Sequence, residues 1–518
     1  MNDAILEQNK RNFIVHPFLF SIFPVLLLLA FNAHEISLLD SITPLVISFL
    51  LSFASWMILR RFLKSVKSGL ILSWIILMIL INGNVSNYLE SETSYSISIF
   101  VLGPIFLIIG ILGIIFFVKT KANRELNSIF NVVAITISVI LISLFLLYDS
   151  SQSFQNDETF NLQEISISVN NIQNKPDVFV FLLDEFAGEK QLEMDYDYSL
   201  KPFKSQLEER NFIFPDQSFT NYPNTIYSIP SLLNMGYVDD VIEKYQSGSK
   251  DIRASSPLFK HNNVMKIFKS YEYKVTTFAN GYSEKFNVPG DSPFVDQKLC
   301  TSDSMIDHGI LLALIDIYVP STEGDGLNLM PMALEGLELH ISQFDECIFS
   351  FIHNYKNDKE EPNFVFTWLM LPHGPYRYDS DGNSVNEIYS PHVINKDAYL
   401  NQLIFTEKKS LELIDSIQKQ DPEAVIIIFS DHGSRHTITS WEEPTDEDLI
   451  RGFNNFSALY FPEKEIEIPE KLSLVNIFRI FFNEYFDMQY EILEDRHIWY
   501  EEKPFINKDV TNRLNSLT

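Results

Sequence analysis

Five apolar stretches crowd into the first 148 residues, at roughly 17–31, 42–59, 68–82, 95–118 and 129–148. Each is long enough, or nearly so, to cross a hydrocarbon core of about 30 Å as a helix. The loops between them set an orientation. Lys10 and Arg11 precede the first stretch, Arg60, Arg61, Lys64 and Lys67 follow the second, and Lys119, Lys121 and Arg124 follow the fourth. The other two loops, 33–41 and 83–94, contain no Lys or Arg. Basic loops stay in the cytoplasm, so the N-terminus is expected inside and everything after Tyr148 outside. A cleaved signal peptide does not fit, because four more apolar stretches follow the first. The stretches carry no Asp, Glu, Lys or Arg at mid-membrane depth, so no ion or proton path is visible. The bundle reads as a plain anchor, with presentation of a lipid substrate to the outer part as the alternative.

The rest of the chain is different in kind. Of 39 Lys/Arg and 68 Asp/Glu in 518 residues, only 9 and 7 precede position 149, which leaves 30 and 61 beyond it. The polar part therefore carries the whole acidic excess. Such a domain is a poor partner for nucleic acid, whose binding rests on Lys and Arg at phosphates. Anionic substrates would need a local cation, such as a bound metal. Two cysteines, Cys300 and Cys347, either pair or stay free; their number alone does not decide it.

Residues 149–174 are polar, rich in Ser, Asn and Gln, and read as a linker; the outer domain is expected over 175–518. Val178-Phe179-Val180-Phe181-Leu182-Leu183 is a continuous apolar run, as expected of a strand buried on both faces of a mostly parallel sheet. Similar runs occupy 363–370 and 424–429, and each leads straight into polar residues. Further strands are expected over 271–278 and 456–461. Between the runs lie helical patterns, clearest over 397–418, where Leu400, Leu403, Ile404, Leu411, Ile414 and Ile417 share one side. Strands alternating with helices predict an α/β/α sandwich.

Four residues could meet at one metal: Asp184, Asp431 and His432 just past the ends of these runs, and Thr225 in a polar turn. In open α/β sheets, ligands sit outside the carboxyl ends of the strands. Asp and His together suit a borderline divalent cation, and Gly433 lets the backbone turn behind them. Taken singly, each has a bland reading: Asp184 as an acidic loop start, Thr225 as a turn residue after Pro223-Asn224. His261, His308, His340 and His353 read as surface or packing residues. Tyr222, Tyr227, Trp368 and Tyr376 are candidates to line a glycerol or sugar pocket.

The order Asp184-Glu185, Asn221-Tyr222-Pro223-Asn224-Thr225, Pro372-His373-Gly374-Pro375-Tyr376 and Ser430-Asp431-His432-Gly433-Ser434-Arg435 resembles the sulfatase-like branch of the alkaline phosphatase superfamily. In particular it is similar to the multi-spanning lipoteichoic-acid-synthase-like and phosphoethanolamine-transferase-like proteins, over about 175–500. The resemblance implies an alkaline-phosphatase-like domain with Asp184, Asp431 and His432 as metal ligands and Glu185 as a further candidate. Thr225 would be both ligand and nucleophile, forming a phosphothreonine. His373 would contact substrate or protonate the leaving group. Arg435 and His436 would hold phosphate oxygens, with Asn224 and Tyr376 beside them. The chain departs from sulfatases at Ser228-Ile229-Pro230-Ser231-Leu232, where Leu replaces the Arg needed for formylglycine formation, so sulfate ester hydrolysis is not expected.

These features predict a phosphotransferase of the bacterial cytoplasmic (inner) membrane, with one divalent metal ion (Mn, Zn or Mg) and a periplasmic or extracellular catalytic domain. It would move a phosphoglycerol- or phosphoethanolamine-type headgroup from a membrane phospholipid to an envelope glycan or lipid. A hydrolase on the same site and a non-catalytic envelope protein are the alternatives.

Overall fold

The computed structural model describes residues 13–31, 38–92, 99–155, 172, 174–239, 256–278, 292–300, 330–356, 361–385, 395–462, 464, 466–500 and 507–517. Lys10, Arg11, His308 and most of the expected linker lie outside the described residues. The chain divides into two compact units, Met1–Thr159 with Asp303–Leu337, and Phe160–Ser302 with Glu338–Thr518.

The N-terminal unit contains the helices His16–Phe31, Leu38–Leu59, Ser65–Glu92, Ile99–Lys119 and Asn123–Gln155. Two of them hold stretches both long and apolar enough to cross a membrane, Ser41–Leu59 and Asn123–Leu147. The other three offer the shorter apolar stretches His16–Ala30, Ser65–Ile81 and Pro104–Lys119. At 1.5 Å per residue, such stretches reach roughly 25 Å at most, short of the hydrocarbon thickness. Among the described residues, then, two helices rather than five meet the length criterion. The unit also contains a buried polar cluster that charge counting overlooked. His16 Nδ1 lies 2.5 Å from Ser73 Oγ and its Nε2 3.3 Å from Asn127 Oδ1, while Asn131 Oδ1 accepts the Val15 and His16 N–H groups. These bonds tie the first, third and fifth helices together.

In the second unit, β1 (Val178–Leu183), β2 (Gln217–Phe219), β3 (Lys274–Phe278), β4 (Gln297–Leu299), β5 (Asn363–Leu369), β6 (Val425–Phe429) and β7 (Ser457–Tyr460) follow in chain order. Six of them form one sheet in the order β4-β3-β5-β1-β6-β7, parallel except for β7. Alternating side chains fill two cores. Val178, Val180, Leu182, Phe366 and Ile427 pack against Ile229, Leu232, Phe268 and Phe478 on one face. Phe179, Phe181, Leu183, Val365 and Ile426 pack against Leu207, Ile352, Leu403 and Ile414 on the other. The unit is thus an α/β/α sandwich with a mostly parallel sheet, and the fully apolar runs are strands because both faces of the sheet are covered. The strand expected over 271–278 begins only at Lys274. Tyr271 closes the preceding helix through its N–H to Ile267, and Glu272 turns with φ 64°. Cys300, just after β4, is disulfide-bonded to Cys347 in the Met330–His353 helix.

Candidate active site

Parallel pairing brings the ends of the three central strands level. Leu183 faces Leu369 and Leu182 faces Phe429 in register. Asp184 and Glu185 follow β1, His373 lies four residues beyond β5, and Asp431-His432 follow β6 after one Ser. Thr225 arrives from elsewhere, as the first residue of the Thr225–Asn234 helix. One ligand atom from each of Asp184, Asp431 and His432 lies within 4.8 Å of the others, and all three side chains are buried. Thr225 Oγ1 donates to Asp431 Oδ2 at 2.5 Å and lies 3.1 Å from His432 Nε2. The four residues singled out in the sequence converge.

Each side chain is aimed by a second group. Trp368 donates its indole N–H to Asp184 Oδ2 at 2.9 Å, and the buried Oδ1 has no hydrogen-bond partner among the described residues. Asp431 Oδ1 accepts the backbone N–H groups of Glu185 and His432, both at 3.1 Å. His432 Nδ1 lies 2.8 Å from the Gly433 carbonyl and therefore carries the proton, which leaves the Nε2 lone pair facing Thr225 and Asp431. Gly433 matters for closeness rather than for an unusual φ. A Cβ there would sit 2.4 Å from the Arg451 carbonyl oxygen and 2.5 Å from Gln191 Oε1.

Glu185 departs from the expected ligand role. Its Oε1 accepts the Arg435 N–H at 2.8 Å, and its Oε2 lies 3.0 Å from His436 Nε2 and 3.8 Å from His373 Nε2. With φ at 64°, the Glu185 backbone points its N–H at Asp431 while the side chain turns to the Arg435 N–H and the His436 and His373 rings. Arg435 differs too. Its Nη1 donates to Asn224 Oδ1 at 2.5 Å, so it braces the residue before Thr225, while its buried Nε has no partner among the described residues. Asn224, the N-cap of the Thr225 helix, consequently makes no side-chain cap to that helix. His436 is held by Glu185 and stacks edge-on to Tyr376 at 5.9 Å.

His373 Nδ1 lies 2.5 Å from the Gly374 carbonyl. Its loop is fastened by Gln402, whose amide donates to the Pro372 and His373 carbonyls, and by buried Arg377, which binds Asp345 at 2.8 Å and the Met370 carbonyl at 2.9 Å. The aromatic residues expected to line a pocket serve other ends. Tyr222 and Tyr227 are buried against Tyr500, and the Tyr222 hydroxyl donates to Asp239. Tyr376 is 2 % exposed. His261 and His353 are exposed, as expected of surface residues.

Burial sets the charges. Burial, reinforced by the nearby Asp431 carboxylate, pushes the Asp184 carboxyl up to about 7. Burial also raises Asp431 and drives His432 well below the ordinary imidazole value. Burial alone would raise Glu185 as well, but His436, His373 and Arg435 outweigh it and hold the carboxyl far below the usual range. Reciprocally, Glu185 outweighs burial at His436 and raises its imidazole above the ordinary value. Two buried carboxylates, a neutral imidazole and a hydroxyl around an unpartnered oxygen form a donor set that fits a divalent cation. Gln402 and Arg377 were not foreseen, since neither carries a local pattern. Trp368 was expected to line a pocket and instead holds Asp184.

Fold and site together define an α/β sandwich enzyme with a hydroxyl group set against a cluster that could hold a metal ion. The chain belongs to the Sulfatase family, which matches residues 176–451, more than half of the sequence. Comparison with curated proteins finds no match. Among solved structures, the zinc complex of the C-terminal periplasmic domain of EcEptC from Escherichia coli is 14% identical (TM-score 0.40), over 62% of this chain and 86% of that one. The lipoteichoic acid synthase LtaP from Listeria monocytogenes is 10% identical (TM-score 0.39; 68% and 92%). The integral membrane lipooligosaccharide phosphoethanolamine transferase A from Neisseria meningitidis is 13% identical (TM-score 0.36; 87% and 88%).

Proposed function

We propose that this protein is a membrane-anchored phosphotransferase that moves a phospho-alcohol headgroup, phosphoglycerol or phosphoethanolamine in type, from a phospholipid to an envelope glycan or lipid. Residues 1–148 form the anchor, 149–174 a linker and 175–518 the catalytic domain, placed outside the cytoplasmic membrane by the loop charges. The observation that carries the reading is Thr225 Oγ1, which touches both Asp431 and His432 from the first turn of a helix. A helix N-terminus favours negative charge, so phosphate on Thr225 is stabilised there.

Asp184, Asp431 and His432, with Thr225, would hold one divalent metal, of zinc, manganese or magnesium type. When bound, it lowers the pKa of the threonine hydroxyl and neutralises charge developing on phosphate oxygens. In the geometry described, Asp431 Oδ2 receives the hydroxyl hydrogen bond and is the acceptor for the Thr225 proton. Thr225 Oγ1 then bonds to phosphorus as the bond to the lipid alcohol breaks. His373, its Nδ1 held by the Gly374 carbonyl, gives the departing diacylglycerol oxygen its proton from Nε2. The acceptor hydroxyl reverses the sequence. His436, kept cationic by Glu185, supplies fixed positive charge for the phosphate oxygens.

The test uses the full chain in detergent with zinc or manganese and labelled phosphatidylglycerol or phosphatidylethanolamine. Wild type is expected to release diacylglycerol and to carry a phosphate adduct on Thr225, and Thr225→Ala to do neither. No release above Thr225→Ala would sink the reading, and turnover independent of any acceptor would make the protein a hydrolase.

A further inference from the structure

Within the N-terminal unit, a cavity of about 510 Å³ opens between the His16–Phe31, Leu38–Leu59 and Asn123–Gln155 helices. Leu26 and Leu29 line it from the first, Val46 and Leu50 from the second, and Leu141 and Phe145 from the third. Among the described residues, Ser138 is its one polar lining residue. We propose that this groove holds an acyl chain of the donor phospholipid. The proposal rests on the phosphotransferase reading and names how that donor is kept.

Two of the three walls are the helices whose apolar stretches are long enough to cross a membrane, and both expose most of their apolar side chains outward. The groove is therefore continuous with a surface that faces lipid. Water gains nothing in it, because a water needs at least two polar partners and the lining offers a single hydroxyl. Left empty, its walls would forfeit the dispersion contacts that close packing supplies. A flexible hydrocarbon chain from the surrounding bilayer satisfies both conditions. Depth points to the outer leaflet. On the second helix the lining residues lie roughly 14–21 Å from the end followed by Arg60 and Arg61, which puts them at the middle and outer half of the membrane.

The experiment quantifies phospholipid retained by the full chain after detergent purification, in wild type, Val46→Trp, Leu50→Trp and the control Leu107→Trp. Val46 and Leu50 line the groove with exposed side chains, whereas Leu107 is exposed on another helix, so all three tolerate bulk without repacking a core. Wild type and Leu107→Trp are expected to retain about one phospholipid per chain, and the two groove variants at least fivefold less. Equal retention in all four would overturn the proposal. A phospholipid with a photoreactive acyl chain tests unsubstituted protein: labelling concentrated on the groove residues supports it, and labelling spread evenly to Leu107 and Ile108 refutes it. If the groove variants lose lipid but turnover never depends on Thr225, the phosphotransferase reading fails while the groove stands.

Discussion

Trp368 hands its indole N–H to Asp184 Oδ2 at 2.9 Å, across two neighbouring parallel strands. One carboxylate oxygen is thereby occupied and the other left buried with no partner among the described residues, so Oδ1 is the oxygen open to a cation. Removing such a partner typically costs 10- to 100-fold in metal affinity. Trp368→Phe is therefore expected to weaken zinc binding by that factor while the domain stays folded. Equilibrium dialysis checks it; unchanged affinity would remove Trp368 from the site.

Arg435 and Asn224 form a brace behind Thr225. Arg435→Lys keeps the charge but loses the planar donor that reaches Asn224 Oδ1 at 2.5 Å. Each of Arg435→Lys and Asn224→Ala is expected to lower kcat about 10- to 100-fold with little change in metal content, and the double variant to be no worse than either alone. A double-mutant cycle on kcat measures this coupling. Additive losses would mean that the two residues act separately.

Gly433→Ala places a methyl group 2.4 Å from one backbone carbonyl and 2.8 Å from another, at Arg451 and Asn454. Neither can retreat like a flexible side chain. Overpacking of this kind costs about 1–3 kcal/mol, and His432 shifts with its neighbour. Thermal unfolding and zinc titration should both register the change; a variant with native stability and zinc affinity contradicts the close approach.

Glu407 supplies a pH dependence away from the site. Its carboxylate is buried, accepts the Tyr198 hydroxyl at 2.8 Å, and is pushed by burial from 4.5 up to about 7. Because the folded pKa is raised, the stability contributed is fully present below about 4.5 and is lost as pH rises through 7. Glu407→Gln cannot ionise. Relative to wild type it should gain up to about 3 kcal/mol between pH 5 and pH 8. Thermal midpoints of both proteins at the two values decide the matter, and a pH-independent difference refutes the assignment.

Much of the site was legible because parallel strands convert sequence position into spatial position. A run such as Val178–Leu183 must be covered on both faces, and the residues just past its carboxyl end must lie at one edge of the sheet. Asp184 and Asp431-His432 could be placed together on that ground, whereas His373 came in through the family resemblance. Glu185 could not be placed, because its backbone leaves the ordinary region at φ 64° and turns its carboxylate from the metal cluster to Arg435 and His436. Nor could the role of Arg435, whose partner Asn224 lies 211 residues away. The N-terminal stretches were legible as apolar helices, but not the polar cluster around His16, since its members come from three helices.

By itself, the sequence determined the division into an apolar helical part and an acidic α/β part, and the residue types available for chemistry. Hydrophobic patterning is local, and it acts through burial that any neighbouring element can satisfy. Tertiary structure alone decided which oxygen of Asp184 is open, which partners Glu185 takes, and which face of Thr225 meets Asp431. Those choices depend on hydrogen bonds of 2.5–3.1 Å between residues more than 180 positions apart, and only strand register and helix placement bring such atoms together.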